Sequence, residues 1–287
     1  MTVVPPLVSV DWLADRLGDA SLLIVDIRST ESSGRTSFEA KHILGSVHSD
    51  YAADGWRIAE GGAGGLLPDA ARLSTLLSRI GLTPQHHAII VSAGDTPSDF
   101  SAAARVYWTL KVSGHVRVSI LDGGYKAWYE SGNPEETGPP LPRASEPYPV
   151  QFIASLRAEV ARVETAIART NATLLDGRSP AQFDGREKSP QVARAGHLPG
   201  AIHLDHGMAF QPGTGRLWPP AELEQLFEQV PPGPVISYCN TGHLASTNWF
   251  VLSEVLRRPD VTLYDGSMSE WTQDPDRPVT TDLESGT

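Results

Sequence analysis

The sequence predicts two α/β domains in one chain, each a mainly parallel sheet with helices on both faces. Short β-rich runs alternate with amphipathic segments throughout, which is the pattern of βαβ crossovers. Four sequence blocks recur in the same order in both halves, and a proline-dense stretch, residues 131 to 150, divides the halves. The length, 287 residues, exceeds what one hydrophobic core organises, and a 40% hydrophobic content is enough to fill two.

In the first half, LLIVD (22 to 26), AIIVS (88 to 92) and VRVSIL (116 to 121) read as strands, and PDAARLSTLLSRIG (68 to 81) has the spacing of an amphipathic helix. The blocks VDIRST, KHILGSVHSDY, IIVSAGD and VSILDGGYKAW are answered in the second half by LDGRSP, GHLPGAIHLDH, VISYCNT and VTLYDGSMSEW. Asp26 and Asp176, His42 and His197, His48 and His203, Asp122 and Asp265, and Trp128 and Trp271 align in these blocks. Four collinear matches imply an internal duplication. The expected boundaries are a domain at 5–132, a proline-rich linker at 133–150 that runs as an extended, stiff connector, and a second domain at 151–283.

Charge and composition narrow the function. The chain carries 34 acidic and 23 basic side chains, with no basic cluster to neutralise phosphates, so nucleic acid is not expected as a partner. No apolar run approaches the roughly 20 residues of a membrane span, and the start, MTVVPPLVSVDW, lacks a basic leader. The protein is expected to be soluble, cytoplasmic and monomeric, with no membrane partner.

A single cysteine, Cys239, rules out an internal disulfide framework or a thiolate-rich metal cluster. It directly follows the strand-like PVISY, at the carboxyl end where open parallel sheets collect ligands. Asn240, Thr241, Gly242, His243 and Leu244 come next, and then ASTNWFVLSEVL, an apolar helical segment that Ser246 or Thr247 is placed to cap. A short turn with a central glycine at a helix start aims backbone N–H groups at one point, a cradle that favours a thiolate.

This stretch resembles the active-site loop of the rhodanese family, and the resemblance spans nearly the whole chain. VTLYDGSMSEW is similar to the block that closes the catalytic half of tandem sulfurtransferases, and GHLPGAIHLDH resembles the family's GHIPGA stretch. The resemblance implies two rhodanese-like domains, each with a mainly parallel five-stranded sheet. The first domain is implied to be silent, because Ala93 stands where the second has Cys239. It also implies that Cys239 takes a sulfur from a small anionic donor such as thiosulfate, holds it as a persulfide, and passes it to a thiophilic acceptor. The amides of Asn240, Thr241, Gly242, His243 and Leu244 would stabilise that anion. No metal or organic cofactor is implied.

Three departures from the family pattern bear on the donor. Thiosulfate-preferring relatives often carry basic loop residues, whereas this loop has only His243. In the mercaptopyruvate type a histidine precedes a leucine-proline stretch in the silent half and pairs with an upstream aspartate. Here Asp50 is kept, but Gly65-Leu66-Leu67-Pro68 has glycine at the histidine position. The arginine that grips the donor in both subtypes is replaced by Gln182, leaving Arg186, then Arg194, to assist. Thiosulfate is the expected donor and 3-mercaptopyruvate the alternative.

Asp26 with Arg28 and Asp176 with Arg178 recur in both halves and read as structural ion pairs, while Trp128 and Trp271 read as core anchors. A cysteine phosphatase needs an arginine at the end of a Cys-x-x-x-x-x-Arg loop, and this chain has Ala245 there and Ser246 next. Cys239, His243, His203 and His206 supply zinc-ligand types, but nothing in their spacing makes four of them converge. A non-catalytic persulfide carrier would use the same cysteine without turnover on small acceptors.

Overall fold

The computed structural model describes residues 5–29, 37–139 and 146–282. In chain order the first half contains β1 (Leu7–Val8), α1 (Val10–Ala14), β2 (Leu22–Asp26), β3 (His42–Ile43), β4 (Val47–His48), β5 (Ile58–Glu60), β6 (Ala63–Leu66), α2 (Ala70–Arg79), β7 (His87–Val91), α3 (Pro97–Val112), β8 (Val118–Leu121), α4 (Gly124–Glu130) and β9 (Glu135–Glu136). The second half contains α5 (Val160–Arg169), β10 (Thr173–Asp176), α6 (Pro180–Phe183), β11 (Ile202–His203), α7 (Pro220–Phe227), β12 (Val235–Tyr238), α8 (Ala245–Phe250), β13 (Val261–Leu263) and α9 (Ser267–Trp271).

The first sheet has five parallel strands in the order β1-β8-β7-β2-β4. The second has four, in the order β11-β10-β12-β13, also parallel. The expected fifth strand is reduced to one parallel bridge, Arg157 to Leu263, at the edge where β1 pairs β8 in the first sheet. Central strands buried on both sides read as continuous apolar runs, and Ala88 to Val91 on β7 and Val235 and Ile236 on β12 are fully buried.

The two compact units are discontinuous in sequence. One comprises residues 1–56, 68–153 and 210–217; the other comprises 57–67, 154–209 and 218–287. The β5–β6 hairpin is thus encoded in the first half but belongs to the second unit. Segment 210–217, with its antiparallel bridge Phe210 to Leu217, is encoded in the second half but belongs to the first unit.

Each unit is tied by the same polar lattice. Arg28 donates through Nε and Nη2 to Asp26 and on to the Lys41 carbonyl at 2.8 Å. Arg178 does the same with Asp176 and the Gly196 carbonyl, also at 2.8 Å. His48 and His203 each donate from Nε2 to the carbonyl of that arginine, at 2.7 Å in both units. Phe38 stacks on His42 and Phe183 on His197. These ion pairs sit at the carboxyl ends of β2 and β10 and are buried. Trp128 and Trp271 are buried and donate their indole N–H groups to the Pro134 and Pro278 carbonyls.

The proline-rich segment is less free than a connector. Glu135 and Glu136 pair antiparallel with β3, and Tyr148 is buried with its hydroxyl 2.9 Å from His115 Nδ1. Residues 140–145 of the expected linker, and residue 283 at the expected domain end, lie outside the described residues.

Candidate active site

The site forms where β12 ends. Its four residues are buried, so the chain leaves the sheet at Tyr238 and Cys239 begins the loop. Cys239 is 1% exposed as a whole residue. The Cys239 and Asn240 carbonyls accept the N–H groups of Met268 and Ser269 at 3.1 and 2.8 Å, which fastens the start of the loop to α9.

Ser267 is the centre of this arrangement. Its Oγ accepts the backbone N–H of Cys239 and that of Gly242, each at 3.0 Å, and donates to the Tyr264 carbonyl at 2.7 Å. It is fully buried and holds a left-handed backbone, φ 51°. For a residue with a Cβ that conformation costs about 1–2 kcal/mol. The Gly242 amide, expected in the anion cradle, is therefore already occupied, and Gly242 contributes a turn with φ 67° instead of a donor. The backbone N–H groups of Asn240 and Leu244 make no hydrogen bond among the described residues.

The helix start differs from expectation as well. Leu244 precedes α8 without a side-chain cap, because Ser246 lies inside the helix and donates back to the Gly242 carbonyl at 2.6 Å. Beyond Phe250 the helix loosens into a π-helical turn, Val251–Val255.

A hairpin closes over the loop. At Gly65, φ is 85°, and a Cβ there would fall 2.2 Å from the Thr241 carbonyl oxygen. Ser269 Oγ accepts the Gly64 N–H at 2.8 Å and donates to the Gly64 carbonyl at 3.0 Å. The Leu67 N–H donates to Asp265 Oδ2 at 2.6 Å, and Asp265 also takes Nε and Nη2 of Arg157 at 2.7 and 3.0 Å. No local pattern marks residues 57–67 as belonging beside the Cys239 loop. Ser267 and Ser269 carry no motif of their own, and the usable signal is the pairing of Ser267 with Gly124 in the repeat.

The arginine candidates are all engaged. Gln182 Oε1, at the position of the missing arginine, accepts from Asn240 Nδ2 at 2.8 Å, so a neutral amide pair stands there. Arg186 donates from Nε and Nη2 to Asp184 with its side chain 58% exposed. Arg194 donates to the Asp274 and Pro275 carbonyls. Arg178 is electrostatically coupled to the sulfur. Its burial disfavours the charge, Asp176 restores it, and Cys239 adds to that pull, so the guanidinium is held above its ordinary pKa.

Asp50 Oδ1 accepts the N–H groups of Ala52 and Ala53. His203 is committed to the Arg178 carbonyl, and His206 Nδ1 lies 3.2 Å from the Gly177 carbonyl. Among the described residues no group of three or more His, Cys, Asp or Glu is placed to hold a metal ion, and no helix is long and apolar enough to cross a membrane.

A rhodanese-like domain model matches residues 9–131 and 159–274. The thiosulfate sulfurtransferase of Corynebacterium glutamicum is 31% identical over 274 residues, covering 92% of this chain and 87% of that protein. A probable 3-mercaptopyruvate sulfurtransferase of Pseudomonas aeruginosa is 33% identical over 288 residues, covering 96% of this chain and 98% of that protein. The crystal structure of SseA from Escherichia coli, a 3-mercaptopyruvate sulfotransferase, aligns with a TM-score of 0.79 at 25% identity, over 92% of this chain and 99% of that one.

Proposed function

We propose, from the premise that this chain belongs to the rhodanese-like domain family, that it is a sulfurtransferase in which Cys239 carries the sulfur and thiosulfate is the donor. The single observation that carries the reading is Cys239 itself, the one thiol of the chain, set at the carboxyl end of β12 at the head of a loop fixed at both ends.

The Cys239 thiolate attacks the outer sulfur of thiosulfate. A new S–S bond forms, the donor's S–S bond breaks, and sulfite leaves with the electron pair. A thiophilic acceptor, either cyanide, a thiol or a protein, then attacks the outer sulfur of the persulfide and regenerates the thiolate. In this reading Asn240, Thr241, His243 and Leu244 shape the anion cradle, Gly242 turns it, and Arg186 swings from Asp184 to meet the donor's charged end. The exposed Arg186 side chain leaves it free to move, whereas Arg194 is tied to two carbonyls. A thiol that must stay reduced fits the cytoplasm.

A second reading, 3-mercaptopyruvate as donor, is favoured by one observation. The loop carries no arginine or lysine from Cys239 to Thr247, so nothing in it is dedicated to a dianion.

The test is mass spectrometry of the intact protein after incubation with each donor. Thiosulfate should add one sulfur, about 32 Da, at Cys239. Cys239→Ser should abolish loading and turnover while the melting temperature stays near that of the wild type. Loading in the serine variant, or none in the wild type with either donor, would sink the reading.

A further inference from the structure

We propose that Ser267 is a positioning residue whose hydroxyl holds the Cys239 loop in its sulfur-binding shape. This rests on the reading of Cys239 as the sulfur carrier, and it assigns a residue outside the loop to the geometry that reading needs.

Three observations converge. Cys239 N and Gly242 N each lie 3.0 Å from the same Ser267 oxygen. Two donors on one acceptor lie no farther apart than twice that distance, so the intervening Asn240 and Thr241 must curl. The oxygen is fixed in turn, because its own proton goes to the Tyr264 carbonyl at the end of the adjacent strand. The hydroxyl thus has both lone pairs and its proton engaged, and it removes two loop amides from competition for the ligand. The N–H of Asn240, beside the sulfur, and that of Leu244, at the far side, make no hydrogen bond among the described residues.

The second observation is strain. Ser267 is fully buried with φ 51°, a conformation that a serine keeps only when its surroundings impose it. The third is the repeat. The matching residue of the silent unit is Gly124, with φ 58°, and its position leaves no room for a side chain, since a Cβ would fall 2.4 Å from the Ser92 carbonyl oxygen. The backbone path is shared, and glycine suits it. Only the unit with the cysteine accepts a strained serine there and uses its hydroxyl, while the other keeps the glycine and has Ala93 in place of the cysteine. A hydroxyl retained against the preference of its own backbone, and present only where the thiol is, serves the thiol.

The experiment compares the full-length wild type with Ser267→Ala and Ser267→Gly. Ser267→Gly installs the residue of the silent unit and relieves the left-handed backbone, so a folded variant is available even if Ser267→Ala is unstable. Three quantities are read: the melting temperature, the pH dependence of Cys239 alkylation by iodoacetamide, and kcat and KM for thiosulfate with cyanide. In at least one folded variant kcat should fall tenfold or more with KM within about twofold, because the loop is reshaped at the sulfur and not at the donor's far end; preorganised donors in anion sites have effects of this size or larger. The alkylation profile should shift to higher pH in the same variant.

Unchanged kcat and an unchanged alkylation profile in a folded variant would overturn the proposal. So would a loss of activity that only tracks a loss of folded protein. The alkylation readout does not depend on sulfur transfer. A wild type that alkylates readily but never loads sulfur would refute the functional reading while leaving the role of Ser267 in loop geometry open to the same measurement.

Discussion

At Gly65 a single missing methyl group decides whether the loop and its hairpin fit together. With φ at 85° and the Thr241 carbonyl oxygen 2.2 Å from where a Cβ would stand, alanine there meets two penalties. The left-handed backbone alone costs about 1–2 kcal/mol. The overlap is with backbone atoms that cannot rotate away, so Thr241 must move, and Thr241 is two residues from the sulfur. Gly65→Ala is therefore expected to lower the melting temperature by several degrees and to lower sulfur-transfer turnover more than a similar destabilisation elsewhere in the same unit. Thermal melts alongside steady-state assays check this, and turnover that merely follows stability would refute the link to the loop. The same geometry explains why glycine stands at the histidine position of the mercaptopyruvate pattern. No side chain fits there, so a histidine at residue 65 needs a different path for the Thr241 carbonyl.

At the scale of elements, the first unit's five-stranded sheet carries a titration that should govern its acid stability. His87 on β7 donates from Nε2 to Ser119 Oγ on β8 at 2.8 Å, and that hydroxyl passes its proton to the Pro5 carbonyl. His115 donates to the Arg117 carbonyl and accepts from the Tyr148 hydroxyl. Burial pushes each histidine down from 6.5 to about 4. An unfolded chain takes up these protons near 6.5 and the folded one refuses them until near 4, so the stability they confer is complete above about pH 7 and is lost as pH falls through that interval. Near pH 5 each is expected to cost about 2 kcal/mol relative to neutrality. Melting curves recorded near neutrality and near pH 5 should show the drop, and a melting temperature insensitive to that change would contradict it. These strands were legible in the sequence, because fully buried parallel strands are unbroken apolar runs and α2 keeps a clear helical period. The placement of β5–β6 in the second unit was not legible. Gly64 and Ser269 are bonded across 205 residues, and no local pattern records a partner that distant. The role of Ser267 was hidden for another reason: a serine after Asp-Gly reads as an ordinary helix start, and only its φ and its two accepted N–H groups distinguish it.

Across the whole molecule, a duplicated scaffold has kept its Asp-Arg ion pairs in both copies and a cysteine in one. The Asp-Arg-His lattice is the same in the two units to about a tenth of an ångström in its key distances. The sequence made this duplication plain, since four blocks repeat in order, and it marked Ala93 as the substitute for the thiol. It did not show how the loop after Ala93 is bonded. Asp99 Oδ2 accepts the N–H groups of Asp95 and Thr96 at 3.0 and 2.8 Å, so the unit's own carboxylate occupies amides at the start of α3. Gly124 supplies no hydroxyl where Ser267 does. A thiol alone should thus be insufficient in that unit. Ala93→Cys in a Cys239→Ser background is expected to fold and to leave sulfur loading at background, because an anionic persulfide there would face the Asp99 carboxylate instead of open N–H groups. Adding Gly124→Ser would not rescue it, since the Ser92 carbonyl fills the space a side chain needs. Mass spectrometry after thiosulfate treatment decides the matter. Stoichiometric loading at residue 93 would mean that the cysteine, and not the loop built around it, is what separates the two units.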